Sequence, residues 1–157
     1  MPVEIERKFL VVNDAWRSSA SVGQRFCQGY LAGGHGVTVR IRRAGPQAFI
    51  TVKGRAVGPA RPEYEYPIPV EEAEQLLHDL CERPLLEKTR HEVLHAGHVW
   101  EVDVFGGPNA GLVLAEVELE RPEEPFELPP WVGEEVTFDP RYRSSELARS
   151  PWKKDHA

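Results

Sequence analysis

The stretch VEIERKFL, residues 3–10, alternates apolar and charged side chains almost from its first residue. Alternation with a period of two predicts a β-strand, because successive side chains of a strand point to opposite faces of the sheet. Glu4, Glu6 and Lys8 therefore share one face, and the opposite face is apolar. A face that carries two acids and a base needs either solvent or a partner with both signs of charge.

Most of the chain repeats this alternation, which predicts an α+β protein that is mainly antiparallel β. One helix is predicted over residues 70–81, where apolar residues recur at helical spacing and acids occupy the first turn. A short helix is predicted at 144–149, and the Pro-rich segment 122–130 is predicted to be a loop. The predicted strands cover residues 3–12, 25–31, 37–43, 48–53, 61–68, 86–95, 98–105 and 112–120.

Length and composition narrow the class of protein. The 157 residues predict a single domain over 1–157. A net charge of −6 argues against a nucleic-acid or membrane-surface partner, because such partners attract basic faces. The sequence has no apolar run of membrane-spanning length and no apolar leader, and Cys27 and Cys81 read as unpaired thiols. We therefore expect a cytoplasmic protein, and a homodimer is left open.

The charged faces of the predicted strands are sorted by sign. The sheets could be antiparallel with solvated charged faces and a core on the other side. A solvated face, however, usually mixes charges with neutral polar residues. The alternative is a closed barrel with a charged interior, whose outer apolar faces need cover from helices or loops. The basic faces carry Arg40 with Arg42, Lys53, and Lys88 with Arg90, and the acidic faces carry Glu63 with Glu65, Glu101 with Asp103, and Glu116 with Glu118.

A charged interior points to a ligand of a particular kind. Burying this much charge is costly unless opposite charges pair or a charged ligand fills the space. Clustered bases suit a chain of phosphates, which they hold by charge-assisted hydrogen bonds. Clustered acids suit a hard divalent cation such as Mg²⁺, which takes one or two carboxylates, waters and phosphate oxygens. Both clusters in one cavity predict a complex of a metal with a polyphosphate.

A second motif, HExxH at residues 91–95, matches a zinc-site pattern that requires a helix. Here the alternation predicts a strand. Residues four apart in a strand lie about 13 Å from each other, at ~3.3 Å per residue. One zinc ion, with bonds of about 2.1 Å, cannot be bound by both histidines at that separation. The motif is therefore interpreted as part of a strand and not as a zinc site.

Taken in order, the sequence blocks resemble the CYTH superfamily, the triphosphate tunnel metalloenzymes, and most closely bacterial short-form inorganic triphosphatases. The segment EIERKF resembles the ExExK signature of that family. The resemblance covers essentially the whole chain. The other blocks are CQGYL at 27–31, VTVRIR at 37–42, TVKG at 51–54, RPEYEYPI at 61–68, EKTR at 87–90, WEVDVF at 100–105, GLVLAEVELE at 111–120 and VTFDPRYRSSEL at 136–147.

The resemblance implies an eight-stranded closed β-barrel, a tunnel that binds triphosphate with Mg²⁺ or Mn²⁺ and is flanked by a few helices. It also implies that Tyr30 pairs with Lys8 and assists proton transfer, and that residues 139–157 form a lid or helix. Ser144 stands where the family often has Asn. The implied triphosphate-binding residues are Lys8, Arg40, Arg42, Lys53, Lys88 and Arg90; the implied metal residues are Glu4, Glu6, Glu116 and Glu118, with Asp103 near them; Glu63 and Glu65 are supporting acids.

The resemblance implies hydrolysis of inorganic tripolyphosphate to pyrophosphate and phosphate. Two other enzymes share the same triphosphate chemistry, an adenylate cyclase that acts on ATP and a thiamine triphosphatase. A module that binds polyphosphate without catalysis is a further alternative, and it would retain the bases while losing the metal carboxylates. Because this chain retains both sets, an enzyme is favoured.

Overall fold

The computed structural model describes residues 2–31 and 36–153, so residues 154–157 of the predicted C-terminal lid segment lie outside the described residues. Within them, no helix has both the length and the apolar character needed to cross a bilayer. Short 3₁₀ helices at Ala15–Ser19, Gly107–Asn109 and Pro140–Tyr142 lie in the connections. The other elements are β1 Val3–Val11, β2 Gln24–Leu31, β3 Thr38–Ala44, β4 Gln47–Lys53, β5 Ala60–Ile68, α1 Val70–Asp79, β6 Leu86–His95, β7 His98–Phe105, β8 Val113–Glu118, β9 Val132–Glu135 and α2 Ser144–Arg149.

Eight of these strands close into an antiparallel barrel. Around it the strands lie in the order β5, β4, β3, β2, β6, β7, β8 and β1, each hydrogen-bonded to the next. The barrel closes at β1, because Val3 lies opposite Pro62 and Ile5 opposite Ala60 on β5, while residues 6–10 pair with β8 on the other edge. This arrangement confirms the eight-stranded closed barrel and excludes open sheets with solvated charged faces.

The strand β9 was not predicted from the sequence. It pairs with the second half of β1, with Phe9 opposite Glu135 and Val11 opposite Val132. Its sequence, VGEE, has no alternation and contains a glycine, which disfavours a strand. It forms because β1 pairs with β5 only through its first residues and its remaining backbone groups require partners. An ion pair between Arg7 and Glu135 joins the two strands further.

The outward faces of the barrel are apolar and are covered by other parts of the chain. The helix α1 packs on β3 and β4, where Ala73 and Leu77 join Ile41 and Ala48 in one buried cluster. Trp131, at the end of the predicted loop, belongs to a second cluster over β1, β7 and β8. Because alternate side chains of each strand are buried on the outside, the charged side chains between them point into the barrel.

The HExxH segment lies within β6 and is a strand, as its alternation predicts. Its histidines have separate contacts. The ring of His91 packs on Trp16 with centroids 5.1 Å apart. His95 Nε2 lies 3.8 Å from a carboxylate oxygen of Glu127. Both side chains therefore lie on the outer surface of the barrel.

Candidate active site

The barrel contains a cavity of about 320 Å³. This volume is near the lower end of the roughly 300–1,000 Å³ that small-molecule sites occupy. It therefore suits a compact ligand and not a macromolecule. The predicted residues that line it are Glu4, Glu6, Lys8, Tyr30, Arg40, Arg42, Lys53, Glu63, Glu65, Lys88, Arg90, Glu116 and Glu118.

The order of strands around the barrel gathers the two signs of charge on opposite sides. The neighbouring strands β4, β3, β2 and β6 form a basic half, which supplies lysine and arginine side chains. The neighbouring strands β7, β8, β1 and β5 form an acidic half, which supplies glutamates. Lys8 and Arg61 are the bases that line the cavity from the acidic half. The cavity can therefore hold a ligand that is anionic on one side and cationic on the other.

In the acidic half, the carboxyl groups of Glu6 and Glu116 share a hydrogen bond. Burial raises the pKa of Glu6 well above its ordinary value, and the charges of Glu116 and Glu4 add to the effect. Burial also raises the pKa of Glu118, and Glu4 adds to it. Acids held this closely gain from a cation among them, which would replace the shared proton.

These acids fit a particular kind of metal ion. Among residues 2–31 and 36–153, no three His, Cys, Asp or Glu side chains form a group that could bind a metal ion by themselves. An ion that keeps several waters and takes phosphate oxygens needs only one or two carboxylates, and Mg²⁺ binds in this way. The pair Glu6 and Glu116, with Glu4 and Glu118 beside it, therefore fits an ion that enters together with a phosphate ligand.

In the basic half, four cations are paired with acids, and two of these pair with Glu63 or Glu65. Lys53 Nζ donates to Glu4 Oε1 at 2.9 Å and lies 3.3 Å from Glu63. Arg40 lies 3.5 Å from Glu65. These contacts place Glu63 and Glu65 beside the bases that they were expected to support.

Arg42 is the exception among the bases of this half. Its Nε donates to Gln28 Oε1 at 3.0 Å, and its guanidinium lies 4.6 Å from the centre of the Phe26 ring. No acid of the described chain lies within ion-pair distance of it. Burial lowers the pKa of Arg42 to about 10, and the charges of Arg40 and Arg90 add to the effect. A partly buried cation that neighbouring bases repel and that lacks an ion-pair partner is a favourable site for an anion.

Asp103 lies behind the cavity lining instead of on it. The sequence places it among the metal residues, but the side chain is 1% exposed and accepts hydrogen bonds from two bases. Lys88 Nζ donates to it at 2.8 Å, and Arg90 donates through Nε and Nη2 at 2.8 and 2.9 Å. Burial opposes its ionisation, but Lys88 and Arg90 lower its pKa to about 2. This geometry suits a carboxylate that orients the two bases toward the cavity.

Replacing Asp103 with alanine is expected to destabilise the fold by about 3–5 kcal/mol, because it leaves Lys88 buried without its counterion. Urea unfolding of the two proteins measures this difference. Glu101→Ala is the matched control, because Glu101 pairs with the same Arg90 but its side chain is 34% exposed. We expect the control to lose much less stability. Equal stability of Asp103→Ala and the unmodified protein would show that the pair is not structural.

Lys8 and Tyr30 both line the cavity, but each has its own partner. Lys8 Nζ donates to the backbone carbonyl of Tyr142 at 2.8 Å and lies 3.8 Å from Glu116. The Tyr30 hydroxyl accepts a hydrogen bond from Gln28 Nε2 at 3.2 Å. Lys8 is therefore joined to the C-terminal part of the chain, a contact that the sequence pattern does not predict.

Several lining residues were not singled out as site residues by the sequence. Thr38, Arg61 and Glu101 carried a usable signal, because each shares a strand face with a chosen residue two positions away, namely Arg40, Glu63 and Asp103. The others come from the connection between β4 and β5 and from the C-terminal segment, where no strand periodicity exists. These are Ala56, Gly58, Pro59, Thr137, Phe138, Arg143, Ser144 and Ser145.

Comparison with known proteins places this geometry in a family. Residues 2–150 match the CYTH domain. The chain is 46% identical over 153 residues to an inorganic triphosphatase of Acetivibrio thermocellus, with 98% of this chain and 97% of that protein covered. It is 41% identical over 151 residues to an inorganic triphosphatase of Nitrosomonas europaea, with 94% and 97% covered.

A solved structure agrees with these matches. The crystal structure of an inorganic triphosphatase aligns with this fold at a TM-score of 0.68 and 38% identity. The alignment covers 96% of this chain and 97% of the other. Sequence and structure thus match over almost the same residues, and the chain belongs to the CYTH domain family.

Proposed function

We propose that this protein is a divalent-metal-dependent hydrolase that converts inorganic tripolyphosphate to pyrophosphate and phosphate. The observation that carries the proposal is Arg42, a half-buried cation without an ion-pair partner among the described residues, in a cavity whose opposite half holds the hydrogen-bonded acids Glu6 and Glu116. A polyphosphate with its metal ion satisfies both halves at once. The relatives named inorganic triphosphatase support the choice of substrate.

The bases of the cavity would bind and orient the phosphate chain. Arg40, Arg42 and Lys53 line it from neighbouring strands, and Lys88 and Arg90 from β6. Arginine presents a planar fork of donors that matches two phosphate oxygens, and lysine adds a point charge. Positioning and charge neutralisation supply most of the catalysis in phosphoryl transfer. These bases would therefore hold the chain in line and stabilise the charge on the phosphoryl group that is transferred.

The glutamates of the acidic half would hold the metal. Glu6 and Glu116, with Glu4 and Glu118 beside them, line the cavity opposite the bases. When bound, Mg²⁺ or Mn²⁺ supplies neutralisation of phosphate oxygens and lowers the pKa of coordinated water. A metal ion would compete with protons for these carboxylates, because burial raises the pKa values of Glu6 and Glu118. We expect their carboxyl groups to lose protons as the metal and substrate enter.

Proton transfer to or from the attacking water would require a side chain that lines the cavity and carries a hydroxyl or amine. The Tyr30 hydroxyl lines the cavity and has one short-range partner, Gln28. Lys8 lines the same cavity, and its hydrogen bond to the Tyr142 carbonyl holds its ammonium there, where it would contact a phosphate oxygen of the ligand. We assign proton transfer to Tyr30 and phosphate binding to Lys8.

A panel of substrates tests this function. The purified protein is incubated with tripolyphosphate, ATP or thiamine triphosphate, each with Mg²⁺, Mn²⁺ or excess EDTA, and the products are separated by chromatography. We expect phosphate and pyrophosphate from tripolyphosphate, and no turnover in EDTA. Cyclic AMP and pyrophosphate from ATP would replace the proposal with an adenylate cyclase. Undiminished hydrolysis in EDTA would refute the metal dependence. Binding of a substrate without turnover would favour a non-catalytic binding module.

A further inference from the structure

Two bases of the cavity have neither an acidic partner nor a place in the proposed function. Arg61, on β5, is half-buried, and Arg143, directly before α2, is exposed at the edge of the cavity. Arg61 Nε donates to the Gly54 carbonyl at 3.0 Å, which leaves the rest of its guanidinium for other contacts. Within the described parts of the chain, no acid lies within ion-pair distance of either side chain. Neither side chain therefore has an ion-pair partner there.

The two guanidinium groups belong to different parts of the protein, line the same cavity and lie close enough for their charges to interact. Burial lowers the pKa of Arg61, and the charge of Arg143 adds to this effect while Glu4 opposes it. Arg61 is fixed to the barrel, because it lies opposite Glu4 in the pairing of β5 with β1. Arg143 belongs to what we call the cap segment, residues 136–148. The repulsion between the two arginines therefore acts between the barrel and the cap segment.

The cap segment is attached to the barrel next to this pair. Lys8 Nζ donates to the carbonyl of Tyr142, the residue before Arg143. Val136 N donates to the Lys8 carbonyl at 2.8 Å, and the Thr137 hydroxyl accepts from Lys8 N at 2.9 Å. These bonds hold the segment so that Arg143 lines the cavity together with Arg61. The two like charges are thus kept close by the surrounding structure, which is the arrangement that an anion between them stabilises.

We propose that Arg61 and Arg143 together bind a non-reacting phosphate group of the substrate at the mouth of the cavity, so that the substrate bridges the barrel and the cap segment. The inference rests on the proposed function, since it names further residues of the same substrate site. A guanidinium binds two phosphate oxygens at once, and two guanidinium groups can share one phosphate. Because that phosphate does not react, its contacts contribute to binding equally before and during the reaction.

The test is steady-state hydrolysis of tripolyphosphate with Mg²⁺ by Arg61→Gln, Arg143→Gln and the double variant. Each single variant is expected to raise KM about 10-fold or more with little change in kcat. The double variant is expected to raise KM by less than the product of the single effects, because both side chains contact the same phosphate. Arg143→Lys is expected to recover part of the loss, since it restores the charge but not the fork of donors.

Arg149→Gln is the matched control, because Arg149 lies on α2 outside the cavity and is 62% exposed beside Glu82 and Glu146. Its KM is expected to equal that of the unmodified protein. An unchanged KM for either Arg61→Gln or Arg143→Gln would overturn the inference while leaving the proposed function intact. If the unmodified protein does not hydrolyse tripolyphosphate, the proposed function fails, and calorimetry of tripolyphosphate binding then tests the subsite. Variants that bind tripolyphosphate as tightly as the unmodified protein, or an unmodified protein that does not bind it, would overturn the inference.

Discussion

Replacing Glu6 with glutamine is expected to abolish metal-dependent hydrolysis of tripolyphosphate while the barrel stays folded. Glutamine keeps the size of the side chain and one acceptor oxygen, but it loses the charge that a hard divalent cation requires. A bound metal ion contributes several kcal/mol of transition-state stabilisation, so kcat is expected to fall ~100-fold or more. Steady-state kinetics with Mg²⁺ and circular dichroism measure the two parts of this prediction.

The same variant is expected to be at least as stable as the unmodified protein at pH 7. Burial and the charges of Glu116 and Glu4 raise the pKa of Glu6, so the folded state holds a proton that the unfolded chain releases. The contribution of Glu6 to stability is therefore fully present below its ordinary pKa of 4.5 and is lost as the pH rises through the raised value. Thermal unfolding between pH 4.5 and 7 should show the advantage of Glu6→Gln growing with pH.

Glu134→Gln is the control for this experiment. Glu134 is an exposed glutamate on β9, the strand beside β1, and it does not line the cavity. Its substitution should change neither the kinetics nor the dependence of stability on pH. Full activity of Glu6→Gln with Mg²⁺ would remove Glu6 from the proposed metal site.

Replacing Arg42 with methionine is expected to weaken tripolyphosphate binding and to stabilise the ligand-free fold. The guanidinium is half-buried, is repelled by the charges of Arg40 and Arg90 and has no ion-pair partner among the described residues, so the ligand-free protein bears the cost of a charge without a counterion. A charge-assisted hydrogen bond contributes about 1.5–3 kcal/mol, so affinity should fall about 10–100-fold for each hydrogen bond to phosphate that the substitution removes. Thermal unfolding without ligand and calorimetry with tripolyphosphate measure the opposite signs of the two effects.

Arg43→Met is a close control, because Arg43 is the next residue of β3 and points to the opposite face. It is exposed at the surface, where it pairs with Glu74. Removing this surface pair should change stability by less than about 1 kcal/mol and should leave tripolyphosphate binding unchanged. If Arg42→Met lowers stability and binds tripolyphosphate as well as the unmodified protein, Arg42 is a structural residue and the proposal loses its main support.

The fold could be predicted from the sequence because one physical signal recurs on nearly every barrel strand. Alternation assigns each side chain to a face, and the sorting of charge between strands favours a barrel in which the charged faces meet each other. The pairing of VEIERKFL with both β5 and β8 is the structural counterpart of that signal. The strand β9 could not be predicted, because it forms by pairing with the free edge of β1 and its own sequence has no alternating pattern.

The candidate site was predictable only as far as the strand faces. Alternation places Asp103 on the charged face of β7, but it cannot show that Lys88 and Arg90 lie between this carboxylate and the cavity. That depth depends on how far each side chain reaches from its strand. Arg143 has no periodic signal, because it lies in a connection whose path is fixed by contacts such as that of Tyr142 with Lys8. Such residues can be assigned to the site only from the three-dimensional structure.

A crystal structure with tripolyphosphate and Mn²⁺ would show whether the basic half of the cavity binds phosphate and the acidic half binds metal. Soaking the Glu6→Gln variant provides the control for the metal position. The expected result is an anomalous manganese peak at ligand distance from Glu6 or Glu116, with phosphate groups in contact with Arg42 on the opposite half. Manganese bound away from these glutamates, or tripolyphosphate bound outside the barrel, would contradict the account.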